Sequence, residues 1–449
     1  MSPRYTSGLR TALIAAFIVA YFLWFAAGGI ATGFAPDDMH NMHKYWEAGP
    51  AAVAKANVTY WSSFYRPAGG AWYLTLYSLV HMNPLAYRVT GFVLLSLNVW
   101  LLYRLALVFS GSFDVAALAA GLGAFHAAML PIYYSNSTIY DILCFTFSTA
   151  ALIWYLEDRP YKMAVFLLLY LAALNAKEMA VTLPVFVLLY ELSRKRFDLK
   201  ALAPGLIAGA LTAVYVYGKM TGPDTLSGMD AYKPVITVQR FFATARNDMN
   251  LLFYTERWFN STRVILLWVA MPAVGLLLRS RTLTLAGIFA ILAFLPVSFL
   301  PPREGFVCYL PLLWWAVYAA ILFQELRARY APRMPALALI ILLPLLIAPL
   351  HQGHKRRLLG LLKGAQARTN GALADLRQLH PALPRGGRVL IRNNRFGEDW
   401  DMYFLTKLWF NDHRIQVMLQ DGDKEPRGDG AREYDLVLED QNAHLRIVR

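Results

Sequence analysis

Hydrophobic positions fall into long blocks separated by short polar connections. The first block, Thr11 to Ala31, supplies about 21 apolar residues, enough to cross a hydrocarbon core of about 30 Å as a helix. Further blocks are placed near 85–108, 115–133, 138–156, 163–176, 178–192, 201–219, 261–278, 283–300, 306–324 and 335–350, which makes about eleven spans. The blocks at 163, 178 and 335 are short, and the first two read equally as a broken or re-entrant pair. Arg4 and Arg10 precede the first block as they would in a secretory leader. A cleavable apolar core is only about 7–15 residues long, so this segment is kept as a transmembrane helix.

Beyond residue 350 the periodicity changes. A basic cluster, His351 to Arg357, opens a helical stretch to Leu379, and Pro381 and Pro384 follow. Arg388–Arg392, Ile415–Leu419, Tyr434–Glu439 and His444–Val448 read as strands, with a helix near Trp400–Phe410. The fold class expected is therefore an all-α polytopic membrane protein with a small C-terminal α/β domain, divided as 1–350 and 351–449.

Composition sharpens this picture. The chain of 449 residues is 57% hydrophobic with a mean hydropathy of +0.39. Of its 72 Asp, Glu, Lys and Arg residues, 30 lie in the last 99 positions, so a membrane part precedes a soluble tail. Cys144 and Cys308 both sit in apolar runs, so neither a disulfide framework nor a cysteine metal cluster follows. The net charge of +14 is scattered between helices without a nucleic-acid motif. Anionic head groups and phosphates are the expected partners, not nucleic acid.

With the N-terminus in the cytoplasm, Arg194, Lys195, Arg196 and Lys200, then Arg279 and Arg281, then Arg327, Arg329 and Arg333 all fall in inner loops. This obeys the positive-inside rule. The opposite, extracytoplasmic face then receives Asp37 and Asp38, Tyr65-Arg66-Pro67, Lys177-Glu178, Pro302-Arg303-Glu304 and the tail.

Two adjacent carboxylates just outside a membrane helix must face water or be held, because ionised acids are strongly disfavoured in hydrocarbon. Asp37 and Asp38 are read as facing a reaction cavity, or else as a membrane-edge cap. His40 and His43 lie three apart close by, which allows a divalent metal site or, in preference, solvated histidines. The first outer loop, about 32–84, carries an amphipathic stretch from Met39 to Val53 and then Trp61, Phe64, Tyr65, Trp72, Tyr73 and Tyr77. These aromatics form an interfacial belt or frame a groove for a lipid and a sugar. A second outer loop, about 220–260, contains an interfacial helix over Val238–Tyr254, either a lid or a static surface helix. Lys177 and Glu178 read as a substrate contact or as a local ion pair, and Arg66 as a contact or a snorkelling cation. Asp141, inside an apolar span, marks a functional or buried polar contact.

Four strings, Pro36-Asp37-Asp38, Tyr65-Arg66-Pro67, Asn175-Ala176-Lys177-Glu178 with MAVTLP, and EGFVCYLP from Glu304 to Pro311, resemble the GT-C superfamily of glycosyltransferases. The nearest branch is that of the protein O-mannosyltransferases and aminoarabinose transferases, and the resemblance covers about residues 10–325. It implies transfer of a sugar from a polyprenyl-phosphate donor to a hydroxyl acceptor in a glycan, lipid or protein at the extracytoplasmic face, with inversion. It implies no nucleotide at the site and no cofactor. Asp37, with Asp38 beside it, is the candidate general base. Tyr65, Arg66, Lys177, Glu178, Arg303 and Tyr309 are the candidate donor-phosphate and substrate contacts. A transporter or flippase, or a non-catalytic subunit of an envelope polysaccharide machine, is the alternative, although the paired half-repeats common in transporters are not seen.

Overall fold

The protein is described from a computed structural model, covering residues 8–59, 65–222, 232–397, 399–422, 424–430, 433–441 and 444–448. Trp61, Phe64 and most of the irregular part of the second outer loop lie outside the described residues. The helices run in the order α1 (Gly8–Ala26), α2 (Pro36–Val58), α3 (Pro67–Val80), α4 (Pro84–Ser110), α5 (Phe113–Gly123), α6 (Leu130–Tyr134), α7 (Ile139–Leu156) and α8 (Lys162–Ala176). They continue as α9 (Leu183–Ser193), α10 (Leu199–Thr221), α11 (Val238–Leu252), α12 (Ser261–Leu277), α13 (Arg281–Leu292), α14 (Tyr309–Tyr330) and α15 (Ala336–Leu379).

This is a mostly helical, polytopic integral membrane protein with a small C-terminal sheet. Among the described residues, six helices are long and apolar enough to cross a bilayer: Gly8–Gly29, Pro84–Ser110, Ile139–Leu156, Leu199–Thr221, Gly305–Tyr330 and Ala336–Leu379. The expected span at 115–133 is instead a pair, Phe113–Gly123 and Ala127–Tyr134, bent by 54°. Shorter apolar helices occupy Lys162–Ala176, Ser261–Leu277 and Arg281–Val297. The count of eleven is therefore not reproduced. Around 178–192 the reason is local: a 3-10 turn, Glu178–Thr182, precedes α9, whose second position is Pro184, so only 11 residues continue as α-helix.

Local sequence explains where these helices start and stop. Asn83 caps α4 through a bond from the Leu85 N–H (3.2 Å), Pro84 takes the first helical position, and Gly111 ends the helix at φ +67°. The longest helix, α15, runs for 44 residues without a break at residue 350, a length of roughly 66 Å at about 1.5 Å per residue. It carries both the last apolar block and the basic cluster, so membrane part and tail share one rod.

The tail adds β1 (Arg388–Arg392), α16 (Asp401–Phe410), β2 (Gln416–Gln420), β3 (Arg427–Gly428), β4 (Leu436–Gln441) and β5 (His444–Ile447). Strand order is β3-β2-β1-β4-β5, with β1 parallel to both β2 and β4, and β3 and β5 antiparallel at the edges. The central strands bury Val389, Ile391, Val417, Leu419, Leu436 and Leu438. One cation fastens this sheet to α15. Arg395, with its side chain 6% exposed, donates from Nη2 to Asp375 Oδ2 (2.8 Å) on α15 and from Nε to Asp440 Oδ2 (2.5 Å) on β4. Removing it leaves two largely buried carboxylates uncompensated, which typically costs about 3–5 kcal/mol. Arg395→Met should therefore raise hydrogen exchange across β1, β4 and β5 in the full-length protein while sparing α4 and α7. Unchanged exchange in the sheet would refute this role.

Candidate functional site

The site forms where α2 starts. Ala35 is extended (φ −94°, ψ 163°), Pro36 opens the helix, and Asp37 and Asp38 occupy its first turn. Neighbouring helical residues point about 100° apart, so the two acids cannot share a direction. Asp38 turns inward and is fully buried. Its Oδ2 accepts the Ala35 N–H (2.8 Å) and its Oδ1 accepts the Tyr73 hydroxyl (2.7 Å). Asp37 turns outward into a cavity of about 860 Å³. Of the two candidate acids, the structure thus brings Asp37 to the cavity and places Asp38 away from it. Asp38 holds the helix start, and its carboxylate does not line the cavity.

The cavity brings together residues far apart in the chain. Tyr65 and Arg66, Lys177, and Arg303 with Glu304 all line it, as do His40, Asn41 and Lys44 of α2. The loop before α7 supplies Ser135, Ser137 and Thr138, while Tyr140 and Asp141 come from α7 itself. Leu362 and Ala365 of α15 close another side.

Each cation has its own support. Arg66 forms a two-pronged bond to Glu178, Nε to Oε2 at 3.1 Å and Nη2 to Oε1 at 2.7 Å, the geometry in which a guanidinium is held most rigidly. Its backbone carbonyl accepts the Tyr45 hydroxyl (3.2 Å). Lys177 is 3% exposed and its Nζ donates to Asp141 Oδ1 at 2.5 Å. The Arg303 guanidinium lies 3.9 Å from the centre of the Tyr232 ring, and its carbonyl accepts a bond from Asn247 Nδ2 of α11 (2.9 Å). Thr244 of the same helix donates to the Leu300 carbonyl (2.6 Å). The second outer loop is thus clamped to the segment that carries Arg303.

Two more candidate residues are placed away from the cavity. Glu178 faces Arg66 and does not line the cavity; it orients a lining residue. Tyr309 is buried in the bundle, its hydroxyl 3.4 Å from Asn98 Nδ2 and its ring 4.8 Å from that of Phe145. It opens α14, whose first turn rotates it away from the cavity that Phe306 reaches. His40 and His43 lie against the aromatic face of α16, His40 stacked on Phe404 at 5.2 Å and His43 5.0 Å from the same ring. Among the described residues no group of three His, Cys, Asp or Glu side chains is arranged to hold a metal ion.

Sequence reasoning did not single out Asn41, Lys44, Tyr140 or Tyr232. Asn41 and Lys44 were recoverable, because they follow Asp37 by four and seven residues and so share its helix face. Tyr232 and the α15 wall carry no comparable signal. Arg88 was also missed: buried within α4, it donates to the Gly29 carbonyl (2.7 Å) and Asn136 Oδ1 (3.1 Å), tying the end of the first span to the loop under the cavity.

The sequence matches no protein-family model and no curated protein. Solved structures do match. The chain superposes on ArnT from Cupriavidus metallidurans, whose crystal structure is bound to undecaprenyl phosphate, with a TM-score of 0.51 and 14% identity. The alignment covers 92% of this chain and 86% of that one. The chain has an ArnT-like fold. Because so much of both chains aligns, the likeness includes the C-terminal region, which lay outside the expected range of about 10–325.

Within this ArnT-like fold, burial raises the Asp38 carboxyl from 3.8 to about 7, against the bonds from Ala35 and Tyr73. Burial raises Asp248 of α11 to about 7 as well. A carboxyl raised in the folded state stabilises the fold relatively below its unfolded value, and that contribution is lost as pH rises through its folded value. Thermal stability in detergent should therefore fall as pH rises from 3.8 through about 7. Asp38→Asn combined with Asp248→Asn should flatten that slope; an unaltered slope in the double variant would exclude these two groups as its source.

Proposed function

We propose that the cavity is the active site of a membrane glycosyltransferase that moves a sugar from a polyprenyl-phosphate donor to a hydroxyl acceptor. One observation carries this reading: an exposed carboxylate, Asp37, opens onto the same cavity as Arg66, Lys177 and Arg303. The ArnT-like fold supports it, since that ArnT is bound to undecaprenyl phosphate.

The chemistry follows from the charges. A hydroxyl acceptor is a weak nucleophile, and Asp37 takes its proton as the acceptor oxygen bonds to C1 of the sugar. The bond from C1 to the phosphate oxygen breaks in the same displacement, which inverts C1 and releases polyprenyl phosphate. The leaving phosphate gains charge, and Arg66, Lys177 and Arg303 stabilise it more strongly as they are already oriented. Glu178 and Asp141 serve that orientation by holding Arg66 and Lys177. Tyr65 borders the donor path. The reading needs no nucleotide, metal or other cofactor, and leaves the acceptor as a glycan, lipid or protein hydroxyl.

The reaction is assigned to the extracytoplasmic face, with the N-terminus in the cytoplasm and the C-terminal sheet outside. The arginine and lysine pattern of the loops supports that orientation. In intact cells, a membrane-impermeant thiol reagent should label Arg446→Cys and spare Arg196→Cys. The reverse pattern inverts the topology.

Asp37→Asn keeps size and removes the proton acceptor, so kcat should fall by roughly 10²- to 10⁴-fold with donor KM little changed. Arg66→Ala and Arg303→Ala should instead raise donor KM, because each removes a phosphate partner present in ground and transition states alike. Purified protein supplied with a series of polyprenyl-phosphate sugars, read by mass shift of the acceptor, separates the two classes. Parental turnover in Asp37→Asn would remove the base from this scheme.

A further inference from the structure

The part of α2 that carries Asp37 is a separate short rod. Gly49 breaks the helix at φ +79° and ψ 166°, and Pro50 follows. A left-handed φ of this kind suits glycine, and proline has no N–H with which to continue the ladder. Residues 36–48 therefore form a rod that is not continuous in backbone geometry with the rest of α2. They are also polar, with Asp37, Asp38, His40, Asn41, His43, Lys44 and Glu47 within three to four turns, so burial in lipid does not hold them.

What holds the rod is visible at both ends. At its start, Asp38 binds Tyr73, and Asn370 of α15 accepts the Phe34 N–H at 3.0 Å. Eight residues further on, roughly 12 Å along the axis, the anchor is the C-terminal domain. The Trp46 ring stacks on His413 with centres 3.7 Å apart and planes at 11°, and its Nε1 donates to Asn411 Oδ1 (3.1 Å). Glu47 Oε2 meets His413 Nδ1 at 3.4 Å. Between these ends, His40 and His43 lie on Phe404 of α16, while on the bundle side Asn41 Oδ1 accepts the Tyr140 hydroxyl (2.9 Å) and the Tyr45 hydroxyl donates to the Arg66 carbonyl (3.2 Å). The rod thus presents Asp37, Asn41 and Lys44 to the cavity and an adjoining face to the C-terminal domain.

We infer that the C-terminal domain is a positioning element of the active site: through Asn411 and His413 it fixes the roll of the 36–48 rod and so the place of Asp37. This rests on the glycosyltransferase reading above. A roll of about 20° would carry a carboxylate roughly 5 Å from the helix axis through nearly 2 Å, and a displacement of about 1 Å already costs on the order of 10²-fold in rate when geometry is demanding. The contacts act on Asp37 only through the rod, so His413 is a positioning residue, not a catalytic one.

His413 tests this cleanly, because its side chain is 51% exposed and its loss opens no core void. In the full-length protein, His413→Gln removes the stacking face; kcat should fall about 10- to 100-fold, with donor KM held within about twofold. His413→Phe restores a flat ring and should recover turnover to within about threefold of parental. Hydrogen exchange over residues 36–48 should rise in His413→Gln and return in His413→Phe. Asn411→Gly gives a second route: it keeps the left-handed conformation at φ +48° while removing the Trp46 partner, and should behave as His413→Gln does.

Parental kcat in both His413→Gln and Asn411→Gly overturns the inference, as does a raised donor KM with kcat unchanged, which would make the domain a substrate contact. Absence of transfer by the parental protein with every donor sinks the glycosyltransferase reading instead. In that case the exchange measurement still decides the brace, and unchanged exchange over 36–48 refutes it.

Discussion

Charge at the edge of a bilayer has to be paired or wet, and this constraint shapes the centre of the molecule. Lys177 and Asp141 lie almost wholly buried, and they neutralise each other across a 2.5 Å contact. Arg66 and Glu178 do the same through two bonds. Deleting either partner of such a pair strands a charge in a medium that solvates it poorly. Each pair also joins elements distant in sequence, α7 to the turn after α8 and the start of α3 to that same turn. The pairs therefore fix the cavity wall as well as its charge.

Adjacent acids at the start of one helix have been given different work by the geometry of the helix itself. Asp38 points into the protein and ties the helix start to Tyr73, while Asp37 reaches the cavity. The buried acid secures the exposed one. The ArnT-like fold places this turn beside α15, whose Asn370 accepts the N–H of Phe34, so the same rod that crosses the bilayer also frames the proposed site.

Continuity of α15 changes how the C-terminal region is understood. A flexible linker would leave the sheet free to move, whereas a helix of 44 residues transmits orientation. Arg395 locks the sheet to that helix, and α16 then lies against α2. The tail is in this way part of the architecture around Asp37, although it contributes none of the cavity-lining cations named above.

Periodicity alone determined the membrane character, the change to an α/β tail and the positions of its main strands, because apolar blocks and alternation are local properties of the chain. The strand over Arg388–Arg392 agrees residue for residue, and the expected helix near Trp400–Phe410 begins one residue later. Local pattern also marked Asp37, Arg66, Lys177 and Arg303 as polar groups in unusual surroundings. It could not say that Asp38 faces inward, that Glu178 serves Arg66, or that Tyr309 turns away, since each depends on which side of a helix meets a partner more than 20 residues away in the chain. Nor could it show that Trp46 meets His413, 367 positions later in the chain. Only packing brings such residues together, and a contact of that kind leaves no periodic trace in either segment.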